Sequence, residues 1–315
     1  MSIKKWSKFA VCLVITLLSV SPLIVHAQES QNTATEKRVL PTADREEYRI
    51  YNELAALKSP EEILSRSESF LAEYKSSDLR PVVYHNMVLA AIRLNNLDKT
   101  FEIAKTALSE FPDHILVLTQ PASTVASQLM ATDSPHIDDA EEFAKKAILL
   151  IEQGKMPYGY KLSQWRSYKS TLLADLYQAT GAIALKKEKL EDSIKMLGKA
   201  AFLNPSSAYL HFLLGRAQVK HYQNGVRTAV EYASSLKQPS LLLEQIAHTY
   251  TRALSLTESE NQKSLRASIE YDMQTLDQSL DTTTKAEFAK TIAAAKADAA
   301  LVAKPPAPAT GSERP

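Results

Sequence analysis

The side chains best suited to hold a metal or move a proton in this chain are acids and histidines, and their spacing gives them little to do. Asp138, Asp139, Glu141 and Glu142 crowd together in a way that would suit a cation. Yet the stretch lacks the glycine turn and alternating oxygen ligands of a calcium loop, and it opens a helix, where carboxylates answer the positive end of the helix dipole. Glu61 and Glu62 have the same reading, because they follow Ser59, a cap residue, and Pro60, a first-turn proline. His85, His114, His136, His211, His221 and His248 are scattered, and none forms a His-Glu-x-x-His pair. His211 and His221 fall near one helical face, but a metal would require further donors. The seven glycines build no phosphate-cradling loop followed by lysine, and no serine stands in a nucleophile elbow. Catalytic residues, a metal site and a cofactor are therefore not expected.

What must position any functional surface is a set of helices. The chain has 315 residues and only seven glycines, and its apolar residues recur at helical spacing. Tyr48, Tyr51, Leu54 and Leu57 mark a first helical face. Tyr84, Met87, Val88 and Ala91 mark another, followed after Asn95-Asn96 by Leu97, Phe101, Ala104, Ala107 and Leu108. An apolar segment from Ile115 to Met130 reads as helical after Pro121, and Ile137, Ala140, Ala144 and Ala147 repeat the small-residue spacing. Gly154 to Tyr160, with Pro157 and Gly159, breaks the helix before a long run from Leu162 to Lys187 that carries Trp165 as a core anchor. Val226 to Leu236 reads as a displaced second helix, with Tyr222 to Gly225 absorbing an insertion. Thr282, Thr283 and Thr284 offer caps for an alanine-rich last helix, Ala286 to Val302.

Within Ala174 to Pro205, the residues Tyr177, Gly181, Ala184, Ser193, Leu197, Ala200 and Pro205 stand at telling intervals, and Gly215 follows Gly181 by 34 residues. This pattern resembles the tetratricopeptide repeat family, of an exported bacterial type. Two departures are Ser193, where the family prefers alanine, and Leu197, where it prefers an aromatic. In the earlier copy Val88 stands where the family prefers glycine, so its helices must cross less tightly or repack around the larger side chain. The resemblance implies an all-α, right-handed superhelical solenoid of about six helical hairpins plus a terminal helix, with Tyr177, Gly181, Ala184, Ala200, Pro205 and Gly215 as packing residues.

It also implies a working surface: the concave groove lined by the first helices of successive repeats, where a protein or peptide partner lies. On the matching positions stand Val82, His85, Leu89 and Ile92, then Asp175, Gln178, Ala182 and Leu185, then Tyr209, Phe212, Arg216 and Val219. Tyr209, Phe212 and Arg216 have the make-up of a binding hot spot, although Tyr209 and Phe212 are also suited to packing between repeats. The lysines and asparagines with which some family members grip a C-terminal carboxylate are replaced here by His85, Leu89, Gln178, Ala182, Phe212 and Arg216, so that clamp is absent. The expected function is a non-catalytic interaction scaffold. The alternative is a structural or assembly component that uses its convex face or tail. Self-association as a homo-oligomer stays open.

The N-terminus reads as an export signal, with Lys4, Lys5 and Lys8 before an apolar stretch from Phe9 to Val25 and a small residue at Ala27. Cleavage after Ala27 gives a periplasmic or secreted chain that does not span the membrane; an uncleaved N-terminal anchor is the alternative. Cleavage would remove Cys12, the sole cysteine. It would also leave 34 of the 37 basic side chains against 36 acidic ones, a balance unlike that of an electrostatic nucleic-acid binder. The expected organisation is a signal peptide at 1–27, a disordered linker at 28–43, repeats at 44–258, divergent capping helices at 259–303 and a disordered Pro-rich tail at 304–315.

Overall fold

A computed structural model describes residues 45–129, 132–232, 239–257 and 259–302. The signal, linker and tail expected from the sequence lie outside them. All regular structure among the described residues is helical, in twelve α-helices. They are α1 (Arg45–Ala56), α2 (Pro60–Glu73), α3 (Arg80–Arg93), α4 (Leu97–Glu110), α5 (Ile115–Gln128), α6 (Ile137–Glu152), α7 (Leu162–Lys186), α8 (Leu190–Leu203), α9 (Ala208–Tyr232), α10 (Pro239–Ser255), α11 (Lys263–Ser279) and α12 (Thr282–Val302). A 3₁₀ turn at Glu260–Gln262 precedes α11.

The chain divides into two compact units, one ending at Arg80 and one starting at Pro81. In the first, α1 packs on α2, and Leu54, Ile63 and Phe70 are buried. Ser59 starts α2 as its sequence predicts: its hydroxyl accepts from the Glu62 N–H, and Pro60 takes the first helical position. The Arg80 guanidinium closes the unit by donating to the Leu71 carbonyl at 2.6 Å.

The second unit is a tetratricopeptide-like stack of helical hairpins. Sequential neighbours pack against each other from α4 to α10, and the first helices α5, α7 and α9 also touch in order. The helix ends explain why the chain turns where it does. Asn95, Gly154 and Glu188 adopt positive φ, and the next N–H in each case reaches back to a carbonyl of the last turn: Asn96 to Ala91, Lys155 to Leu150 and Lys189 to Ala184. That is a left-handed helix stop. Asn96 then caps α4 by accepting from the Lys99 N–H at 2.9 Å.

Three expectations are corrected. Helix α5 begins at Ile115 rather than after Pro121, because the His114 ring caps it: Nδ1 accepts from the Val117 N–H and Nε2 bonds the Pro81 carbonyl at 2.7 Å. Helix α9 runs unbroken through Tyr222–Gly225 to Tyr232, so the partner of its first half is α10 and not a separate helix from Val226. Finally, α12 is capped by Asp281, which accepts from the N–H groups of Thr283 and Thr284, while the threonines belong to the first turn. Helix α12 packs on α10, which covers that end of the stack.

Candidate functional site

Two glycines set how closely the first helices are held. A Cβ on Gly181 in α7 would lie 2.6 Å from Leu197 Cγ in α8, and a Cβ on Gly215 in α9 would lie 2.6 Å from the Tyr250 ring in α10. Ser193 also has a use here: its hydroxyl donates to the Gly181 carbonyl at 2.8 Å, a bond alanine would lack. Tyr177, Ala184 and Ala200 are buried in the same packing. The Tyr177 hydroxyl donates to Glu152 at 2.9 Å. Pro205 is exposed beyond the end of α8, and its carbonyl accepts from His211 Nε2 at 3.1 Å.

On the other side of these crossings the first helices line a cavity of about 510 Å³. Leu129 after α5, Ala182 and Leu185 of α7, and Val219 of α9 supply its apolar lining. Tyr250 adds an aromatic ring, and α11 contributes Tyr271, Asp272 and Thr275. Lys186, Glu188, Lys220 and Gln223 also line it. Tyr271 is 67% exposed, an unusually bare aromatic ring beside a hollow of mixed apolar and charged lining. Neither the cavity nor α11's part in it was legible from the repeat spacing.

Arg216 holds α11 in place. Its Nε donates to Asp272 at 2.7 Å and Nη2 to the other carboxylate oxygen at 3.4 Å, and the guanidinium lies 5.0 Å over the Phe212 ring. The Tyr250 hydroxyl donates to the same carboxylate at 3.3 Å. Burial, with the negative charge of Asp272 beside it, pushes the Tyr250 hydroxyl well above the usual tyrosine range. Of the three residues read as a hot spot, Arg216 lines the cavity. Phe212 is buried in the core with Tyr222, Ile246, Tyr250 and Ile269, so its ring supports Arg216 from beneath. Tyr209 packs against that core.

The remaining groove positions are spread along α3 and α7. His85 and Leu89 are partly buried. Among the described residues the His85 Nε2 has no hydrogen-bond partner, and burial, with His114 nearby, pushes the ring down to about 3. Gln178 and Asp175 are partly buried on α7. Burial raises the Asp175 carboxyl to about 6. Two turns earlier, Tyr168 stacks on Tyr160 with ring centroids 5.6 Å apart. Burial also raises the Tyr168 hydroxyl to about 12, with smaller contributions from Tyr160 and Asp175.

The acidic cluster at the start of α6 is engaged by lysines. Lys187 bonds both Asp138 and Glu141, Lys145 bonds Glu141 at 2.6 Å, and Lys105 bonds Asp139 at 2.8 Å. Burial alone would raise the Glu141 carboxyl, but the bonds from Lys145 and Lys187 outweigh it and bring it to about 2. Among the described residues no group of three or more His, Cys, Asp or Glu side chains could hold a metal ion, and no helix is long and apolar enough to cross a membrane. His136 stacks on Phe101 at 4.3 Å and bonds Asp98 at 2.7 Å, and His114 is a helix cap. These rings hold helices together.

No family model matches the chain, and no curated protein matches it. Among solved structures, a MamA RS-1 ArsTM double mutant aligns with a TM-score of 0.48 at 16% identity, covering 70% of this chain and 98% of that one. MamA from Desulfovibrio magneticus RS-1, residues 41 to the end, aligns with a TM-score of 0.43 at 16% identity, covering 64% and 96%. The assignment of a tetratricopeptide-like fold rests on the hairpins and glycine contacts described above.

Proposed function

We propose that this protein is a non-catalytic interaction scaffold that takes a segment of a protein partner into the cavity between α7, α9 and α11. The observation that carries this reading is the cavity itself: a hollow with an aliphatic floor of Leu129, Ala182, Leu185 and Val219, a rim of charged and polar side chains, and a bare tyrosine at its side. A hollow of this size accepts one or two apolar side chains, and an exposed aromatic beside it is the usual make-up of a binding hot spot. Arg216 fixes α11, so the site is held ready. Helix-in-groove or extended-segment docking would use it without chemistry.

The scaffold would act in the periplasm or outside the cell, since Lys4, Lys5, Lys8 and the apolar stretch before Ala27 form an export signal. Sequencing the N-terminus of the protein recovered from its native envelope should begin at Gln28. An intact N-terminus would favour the anchored alternative.

To test the site, random dodecamer peptides displayed on phage would be selected on the mature chain, and enriched sequences synthesised. Thr275→Trp, at an exposed position lining the cavity, should block their binding with no change in melting temperature. Binding that survives this change would place the partner elsewhere. One observation favours an outer-face assembly role instead: Phe202 on α8 is 85% exposed. Phe202→Ser should abolish partner contact if that face is used.

A further inference from the structure

We propose that Asp175 receives a lysine or arginine side chain of the bound segment, about three residues from the apolar side chain that fills the cavity. This rests on the cavity being the docking site, and it names the chemistry of the occupant. Asp175 has neither a hydrogen bond nor an ion pair among the described residues, whereas Asp138 and Glu141 of α6 are engaged by lysines. Burial is what raises its carboxyl, with no opposing contribution from a cation among the described residues. Helix α5, which packs on α7, contains no charged residue at all, so it offers no counter-ion. Lys199 of α8 lies over the Tyr177 ring, and Arg216 of α9 is taken by Asp272. A part-buried carboxylate without a partner is an unfavourable thing to keep in a fold, and it becomes favourable when a cation arrives.

The position gives the spacing. Asp175 and Ala182 are two helical turns apart on one face of α7, so they lie about 10.5 Å apart along the axis. Ala182 lines the cavity. An extended segment advances about 3.3 Å per residue, so a cation over Asp175 and an apolar side chain in the cavity are separated by about three residues. On the far side of Asp175 lies the stacked Tyr160–Tyr168 pair, uncharged and aromatic, against which the aliphatic stem of the basic residue or its neighbour can rest.

The test uses the peptides selected on the mature chain. They should carry Lys or Arg about three residues from Leu, Ile, Met or Phe. Replacing that basic residue by norleucine, or Asp175 by Asn, should each weaken binding by tenfold or more, and both together should weaken it no further than either alone. Asp175→Glu, which keeps the charge, should retain more binding than Asp175→Asn, and both variants should melt no lower than the parent. If Thr275→Trp blocks the peptides while Asp175→Asn leaves their affinity unchanged, the cation site is refuted and the cavity stands. If Thr275→Trp has no effect, or no peptide is enriched, the cavity and the cation site fall together.

Discussion

Leu197 of α8 rests on the bare Cα of Gly181, and a Cβ there would stand 2.6 Å from Leu197 Cγ and 3.0 Å from the Leu197 backbone nitrogen. The backbone atom cannot step aside as a side chain can, so even one methyl group must push the two helices apart. Gly181→Ala is expected to lower stability by about 1–3 kcal/mol, and Gly181→Leu by more. Chemical denaturation would measure it; an unchanged midpoint for both would contradict the close crossing.

Gly215 meets an aromatic ring instead of a backbone. Its added Cβ would lie 2.6–2.9 Å from three atoms of Tyr250. The ring is fully buried and its hydroxyl is bonded to Asp272, so moving it aside would break that bond. Gly215→Ala should cost about 1–3 kcal/mol, and Tyr250→Leu should recover part of the loss. A melting curve for Gly215→Ala identical to that of the parent would contradict this.

The Arg216–Asp272 pair should show coupling. Its side chains are 35% and 12% exposed, so it is neither a free surface pair nor a sealed one. Asp272→Ala takes a carboxylate partner from both the guanidinium and the Tyr250 hydroxyl, and should cost about 1–3 kcal/mol. Arg216→Ala should cost a similar amount. The double variant should lose clearly less than the sum, by thermal or urea unfolding; simple additivity would mean that the contact does not tie α11 to α9.

Asp175 gives a pH signature. Its folded carboxyl is raised to about 6 from an ordinary 3.8. The folded chain therefore holds this proton more tightly than the unfolded chain, and the stability it contributes is present below about pH 4 and lost as pH rises through about 6. Asp175→Asn keeps the site neutral. It should be more stable than the parent at pH 8, by on the order of 1–2 kcal/mol after allowing for partial exposure, and no different at pH 4. A variant less stable than the parent at pH 8 would show that the carboxylate has a stabilising partner.

Much of the architecture is local and so was legible in the chain. Ser59-Pro60, Asn95-Asn96 and Gly154 are boundary signals that act within a few residues, and the structure uses each of them. Gly181 and Gly215, 34 residues apart, each stand where a Cβ would crowd the next helix, but their interval does not show what each glycine faces. Leu197 is 16 residues from its glycine, whereas Tyr250 belongs to α10, which α9 reaches only after running unbroken past the expected turn. Phe212 illustrates the limit for the site. Its face on α9 was readable, but whether that face met solvent depended on α10 and α11 folding across it. Asp272, 56 residues from Arg216, left no periodic trace. Long-range covering of this kind is decided by tertiary packing, which spacing within one repeat does not encode.

The most direct measurement places a photo-activatable benzoylphenylalanine at Gln223, which lines the cavity and is exposed, and in a second chain at Glu102, an exposed position on α4. Each chain is irradiated in the cells that make it and the adducts are compared. One discrete adduct is expected from position 223, lost when Thr275→Trp is added, and none from position 102. An adduct of equal yield from both positions, or one at 223 untouched by Thr275→Trp, would contradict the cavity as the docking site.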